Sequence, residues 1–170
     1  MALSRKTGAA VRKWDGSPFR VLAFDPGGTT GVAKAWTEDD DFKFSYHQIG
    51  PDEHHEELWG FLQAHLQQYG LPNLEIVCES FEYRNMSRKG LELVSKEYIG
   101  IIKLFCEING IKLTFHTASA AKTFVTDDKI HSLDLWVPGK PHAMDGMRHL
   151  LRYLVIGKGI REPITDKWLG

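Results

Sequence analysis

The chain has 170 residues and a formal net charge of −1, from 21 Lys and Arg against 22 Asp and Glu. That length fits one domain with a core that needs no disulfide or metal staple. The near-neutral balance excludes a uniformly basic coat for nucleic acid, no apolar run is long enough for a membrane span, and Cys78 and Cys106 lack the spacing of a zinc site.

Residues 1–17 mix Gly, Ala, Lys and Arg without periodicity. They are expected to form a flexible basic arm, and they lack the apolar centre of a secretory signal. One α/β domain is expected over 18–157, with a tail over 158–170. The stretch Val21-Leu22-Ala23-Phe24-Asp25-Pro26-Gly27-Gly28-Thr29-Thr30-Gly31 is an apolar run that ends in a lone carboxylate and a tight turn. It predicts a strand over Arg20–Phe24, a turn using positive φ at Gly27 and Gly28, and a second strand over Gly31–Trp36. Phe42–Ile49 alternates apolar and polar residues and completes an antiparallel meander. Pro51–Tyr69 reads as a helix with Pro51 at its start and acids in its first turns. Glu75–Glu79 is a short strand covered on both faces.

Ser80–Lys89 is a polar and aromatic loop, followed by the longest helix, Leu91–Asn109. The apolar arc of that helix, with Leu93, Ile99 and Leu104 on its outer edge, is wider than packing on one sheet requires. Ile111–His116 is a fifth strand. Thr117–Phe124 and Asp127–Trp136 read as short helices, and Pro141–Ile156 as the last helix. The order predicts a mixed sheet with helices on both faces. Cys78 and Cys106 lie in apolar segments, as reduced core residues of a cytosolic protein would.

Chemistry-bearing residues gather at element ends. Asp25 closes the first strand and Glu79 the fourth. His142, Asp145, His149 and Arg152 share one stripe of the last helix, opposite Met144, Met147, Leu151 and Leu154. That stripe is expected to start at a buried helix end and run outward. If the first and fourth strands are neighbours, Asp25, Glu79, Asp145 and His142 converge. Clustered carboxylates repel unless cations hold them, and oxygen donors favour Mg²⁺ or Mn²⁺. Two such ions suit phosphodiester hydrolysis.

These motifs resemble the RuvC Holliday-junction resolvases of the RNase H-like superfamily, and most of all their phage-encoded members. The resemblance rests on Asp25-Pro26-Gly27 with Gly31, an apolar strand ending in Glu79, and Asp145 in the final helix. It spans about Arg20 to Ile156. It implies an RNase H-like nuclease domain with a five-stranded mixed sheet, a homodimer, and Mg²⁺ or Mn²⁺, expected as two ions; the wide apolar arc of Leu91–Asn109 makes that helix the expected dimer contact. It also implies nicking of branched DNA, Holliday junctions first and flaps and forks besides, in a host cytoplasm. Metal ligation and catalysis carry over to Asp25, Glu79 and Asp145.

There are departures. His142 stands where the pattern usually has a fourth acid, as ligand or base. The loop position of the junction-opening aromatic is Glu82, between Phe81 and Tyr83. Gly146 replaces Ala after Asp145 and is expected to loosen the helix. Phe81 and Tyr83 remain candidates for stacking on bases, and Arg84, Arg88, Lys89 and Lys122 for holding phosphates. Two other classes compete. Asp25 to Gly31 also resembles the first phosphate loop of actin-like sugar kinases, which require a second domain that this length does not supply. A catalytically silent DNA-binding protein on the same fold is the other, and the intact acids argue against it.

Overall fold

The computed structural model describes residues 15–39, 41–81, 89–162 and 164–168, and of 89–92 the backbone alone. Its strands are β1 (Arg20–Asp25), β2 (Thr30–Glu38), β3 (Asp41–Ile49), β4 (Leu74–Glu79) and β5 (Lys112–His116). They form one sheet in the order β3-β2-β1-β4-β5. The β1–β2 and β2–β3 pairs are antiparallel, whereas β4 runs parallel to both β1 and β5. This is the mixed α/β sheet expected. The helices are α1 (His55–Tyr69), α2 (Lys89–Asn109), α3 (Ala118–Phe124), α4 (Asp127–Ser132) and α5 (Pro141–Arg152).

Strand alternation splits the core in two. Val21, Ala23, Ala33, Ala35 and Val77 pack under α5 with Met144, Met147, Leu150 and Leu151. Leu22, Phe24, Val32, Ile76 and Cys78 face the opposite way, onto Leu58 and Leu62 of α1 and Tyr98, Ile102 and Phe105 of α2. Successive side chains point to opposite faces, so one strand sequence builds two apolar layers. Both cysteines are free and buried, and burial pushes the Cys78 thiol well above its usual range.

The α5 face of the central strands is lined with small residues, and α5 lies very close to it. A Cβ on Gly31 would fall inside the backbone carbonyl of His142 and 2.9 Å from the Ala143 nitrogen. Gly146, one turn on, would bring its Cβ to 3.3 Å from the Ala33 nitrogen and the Gly31 carbonyl. Glycine at 146 therefore has a packing reason, beyond the loosened helix that the sequence suggested.

Several boundaries differ from expectation. The turn after β1 does not use positive φ at Gly27 or Gly28. It is gathered instead by the buried Thr30, whose hydroxyl meets His54 Nε2 at 2.8 Å. Helix α1 begins at His55 rather than Pro51. Gly50 and Asp52 adopt positive φ and bend the chain first. The bend is pinned by Tyr98, whose hydroxyl accepts from the His54 N–H and donates to the Asp52 carbonyl, both at 3.0 Å. Helix α4 stops at Ser132, where the chain turns through Asp134 at positive φ. The last helix is α-helical only to Arg152 and ends in a π-helical turn, Tyr153–Gly157. There the Lys158 N–H reaches the Tyr153 carbonyl at 2.9 Å. Downstream, Ile160 and Ile164 are buried on the α5 side.

Two outcomes follow from this packing. Gly31→Ala is expected to lower the melting temperature by roughly 10 °C or to prevent folding, since backbone must move to admit the methyl group. Gly146→Ala, whose methyl group would sit 3.3 Å from strand backbone and asks for a much smaller shift, partly offset by helix propensity, is expected to lower it by less than half as much. Circular dichroism melts of both variants measure this, and equal effects would contradict the close approach at Gly31.

The second outcome concerns acid stability. His65 in α1 is 6% exposed, and its Nε2 has no hydrogen-bond partner among the described residues. Burial, with Lys34 and Arg20 adding to it, pushes its pKa down to about 4. The unfolded chain, with a histidine pKa near 6.5, takes up this proton first. Its contribution to stability is therefore complete above pH 6.5 and is lost as pH falls from there toward 4. His116 is depressed to about 4 as well, so His65→Leu should make the fall in urea stability between pH 7 and 4.5 shallower without abolishing it. An unchanged slope would mean that His65 is not buried neutral.

Candidate active site

Strand alternation also decides where the acids point. Asp25 continues the series Val21, Ala23 in β1, and Glu79 the series Glu75, Val77 in β4, both on the α5 face. The parallel register pairs Phe24 with Cys78, so Asp25 and Glu79 leave neighbouring strand ends on the same side. The Ser80 N–H donates to the His116 carbonyl at 2.8 Å, which holds the chain on β5 just past Glu79. The close approach of α5 to Gly31 then sets His142 and Asp145 beside Asp25, because Gly31 is the register partner of Asp25.

The four expected residues come together. His142 Nδ1 lies 3.6 Å from Asp25 Oδ2. Asp25 is 14% exposed, and its carboxyl is pushed above the usual range. Burial is the largest cause, and the charges of Glu79 and Asp145 add to it against the relief from His142. Contact with Asp25 in turn raises the His142 pKa. Each acid has a cationic or imidazole neighbour. Arg148 Nη1 donates to Asp145 Oδ1 at 2.6 Å, and Lys122 Nζ lies 3.2 Å from Asp145 Oδ2. Arg148 also bonds Asp127 of α4. Glu79 Oε2 is 3.0 Å from His149 Nε2.

The sequence reading gave His149 no role beyond the polar stripe of the last helix, and it gave Arg148 no part in holding an acid. The polar stripe of α5 was expected to run outward, but His149 is 1% exposed and His142 is 46% exposed. The stripe runs from the surface inward, toward the sheet. Polar residues on that face are satisfied by strand carboxylates, since Tyr153 likewise donates to Glu75 at 2.7 Å. The signal was present: His149 lies seven residues after His142 on the face that carries the acid. Only its direction was misread.

The basic and aromatic candidates fare differently. Lys122 of α3 reaches Asp145 itself. Phe81 is partly buried against the α1–α2 layer, with the Lys96 ammonium 4.5 Å from its ring centroid. Tyr83, Arg84 and Arg88 lie outside the described residues, as does the side chain of Lys89.

Three carboxylates and an imidazole are the donors that a divalent cation such as Mg²⁺ or Mn²⁺ takes, and the raised Asp25 carboxyl reports negative charge crowded into a buried place. As the side chains stand, no group of three His, Cys, Asp or Glu among the described residues is in metal-holding geometry. Lys122, Arg148 and His149 engage the acids directly.

Comparison with known proteins agrees with this architecture. The sheet order, crossed by α5 at the acid-bearing strand ends, defines the RNase H-like fold. Within it the fold is RuvC-like. The chain is similar to Thermus thermophilus RuvC in complex with a Holliday junction substrate, at a TM-score of 0.59 and 14% identity, over 82% of this chain and 95% of that one. It is similar to a second Thermus thermophilus RuvC structure at 0.59 and 15%, over 82% and 96%. No model of a known protein family matches the chain, and no curated protein does. Among the described residues no helix is long and apolar enough to cross a membrane.

Proposed function

We propose that this protein is a divalent-metal-dependent endonuclease that hydrolyses phosphodiester bonds in branched DNA, with Holliday junctions as first substrate and flaps and forks as further ones. The carrying observation is that Glu79, Asp145 and His142 lie near enough to Asp25, at one end of a RuvC-like sheet, to act on its charge, with burial the largest cause of its raised carboxyl. The similarity to a RuvC that binds a Holliday junction supplies the substrate class.

Asp25, Glu79 and Asp145 would hold the ions, with His142 as fourth ligand or as base. The chemistry supplied by bound Mg²⁺ or Mn²⁺ is acidification of the attacking water and neutralisation of the leaving oxygen. The chain's own residues prepare that site. His149 fixes the Glu79 carboxylate from behind the sheet end. Arg148 fixes Asp145 and ties it to α4. Lys122, half-exposed, can exchange Asp145 for a phosphate of the substrate. His142 stands open to solvent beside Asp25, where it can take up a proton from water.

Asp25→Asn, Glu79→Gln and Asp145→Asn should each lower cutting of a four-way junction by about a thousandfold or more while leaving the melt unchanged, since an amide cannot supply the charge that holds a cation. Strand-specific nicking assays with Mg²⁺ and with Mn²⁺ measure this. A wild-type protein inert on junctions, flaps and forks with both ions would end the proposal.

The assembly proposed is a homodimer through α2. Leu93, Leu104 and Ile108 are 60%, 52% and 65% exposed on the side of α2 turned away from the core. Apolar patches of this kind favour partners, and a two-fold axis matches the two equivalent strands of a junction. Ile99, expected on this edge, is instead buried in the α1–α2 layer, so a charge there would test folding. Leu104→Glu should convert a dimer to a monomer in light scattering and reduce paired junction cuts more than single flap cuts. A wild type monomeric at micromolar concentration, with and without junction DNA, would overturn the dimer.

A further inference from the structure

A cavity of about 240 Å³ opens between α1 and the β2–β3 side of the sheet. It lies on the face opposite the acids, since Val32 in its floor belongs to the α1–α2 layer. We propose that this cavity binds a small organic anion, a single flat ring carrying a carboxylate or phosphate group. The site uses none of the residues of the nuclease reading and goes beyond it.

Strand alternation builds the floor. Val32 and Lys34 share one face of β2, and the register sets His47 and Ser45 of β3 beside them. Helix α1 closes the other side with Phe61, His65 and Gln68. An apolar cavity of ~150 Å³ already takes a benzene ring, so this one has room for a ring and an anionic substituent. Apolar walls with a few polar groups are the usual make-up of a small-molecule site.

Charge selects an anion. No carboxylate lines the cavity. The Lys34 ammonium lies 4.4 Å from the ring centroids of both Trp36 and Tyr69, and among the described residues no carboxylate pairs with it. The Arg20 guanidinium stands 5.0 Å from the same Tyr69 ring and donates to the Tyr69 and Gly70 carbonyls at the end of α1. Two half-buried cations that no acid neutralises leave a positive potential at this place. His65 registers it: burial is the main cause of its lowered pKa, and Lys34 and Arg20 push in the same direction.

Hydrogen bonding points the same way. His65 lines the cavity and is buried, and its Nε2 has no partner among the described residues. A buried polar atom left unmet is costly. Nε2 of a neutral imidazole donates or accepts according to its tautomer, so a polar atom of the ligand can meet it. The Ser45 hydroxyl and the Gln68 amide line the same space. A ring against Val32 and Phe61, with its anionic group at Lys34, answers both the unneutralised charge and the unmet nitrogen.

The test is a titration of the isotope-labelled full chain followed in amide NMR spectra. Benzoate and phenyl phosphate are the probes, and benzylamine, the same ring on a cation, is the control. At least one anion is expected to bind with a Kd of about 0.1–1 mM, moving the amides of Lys34, Ser45, His65 and Gln68 and the His65 Nε2 resonance. The tighter anion identifies the preferred group. Lys34→Gln should weaken it about tenfold or more, and Lys34→Arg, which keeps the charge, should restore most of the binding, with both variants melting as wild type does. Equal binding of benzylamine at this cavity would overturn the site, as would anion shifts confined to the surroundings of Asp25, Glu79 and Asp145. Undiminished binding in Lys34→Gln would do the same, and so would a lack of saturable shifts from both anions up to about 10 mM. None of these outcomes bears on the nuclease reading, which the junction assays test separately.

Discussion

The site depends on how closely α5 lies on β2. Helices usually keep a side chain's thickness from a sheet, but here the backbone at His142 and Ala143 rests where a Cβ of residue 31 would be. Only glycine admits that approach. Because Gly31 pairs with Asp25, the same contact that seats the helix also brings His142 to Asp25. Ala33 and Ala35 extend the shallow track along β2, and Gly146 continues it on the helix. The placement of the acids is therefore a consequence of packing density in the apolar layer beneath them.

That placement has an electrostatic cost, and the fold answers it locally. Carboxylates at neighbouring strand ends with a third on the helix disfavour one another's ionisation, and burial compounds this for Asp25. The compensating groups come from the same helix: His149 for Glu79 and Arg148 for Asp145, with Lys122 from α3. Arg148 and His149 sit deep, whereas Lys122 and His142 are half-exposed. The buried pair suits permanent positioning of the acids. The exposed pair is free to change partners when an anion or a cation arrives.

Much of this was legible in the sequence. The apolar run into Asp25 and the run into Glu79 identified two strand ends, side by side once the first and fourth strands are neighbours, as they are. The element order led to the RNase H-like sheet. What escaped has physical reasons. The start of α1 was placed at Pro51 because proline favours a first helical turn, yet here the chain must bend at Gly50 and Asp52 before Tyr98 can pin it. Ile99 was read as outer-edge because helical spacing alone does not say which side of a wide apolar arc meets the sheet. His149 was read as outward-facing because polarity stood in for exposure. A polar side chain on a buried face needs a buried partner, and the partner, Glu79, lies seventy residues away in the chain. Local pattern cannot display such a pair; only the topology brings it together.

The two faces of the sheet separate two kinds of work. On the α5 face the strands offer small residues and acids, and the helix packed on them carries His142, Asp145, Arg148 and His149. On the other face the strands offer Leu22, Phe24, Val32 and Ile76, and α2 covers them while turning Leu93, Leu104 and Ile108 away from the core. Residues of one strand alternate between these layers, so a register slip of one position would exchange acids for core and core for acids. The buried apolar layers make that slip costly. The stability of the sheet and the identity of the site are thus fixed by the same alternation, while the outer surface of α2 carries no such constraint.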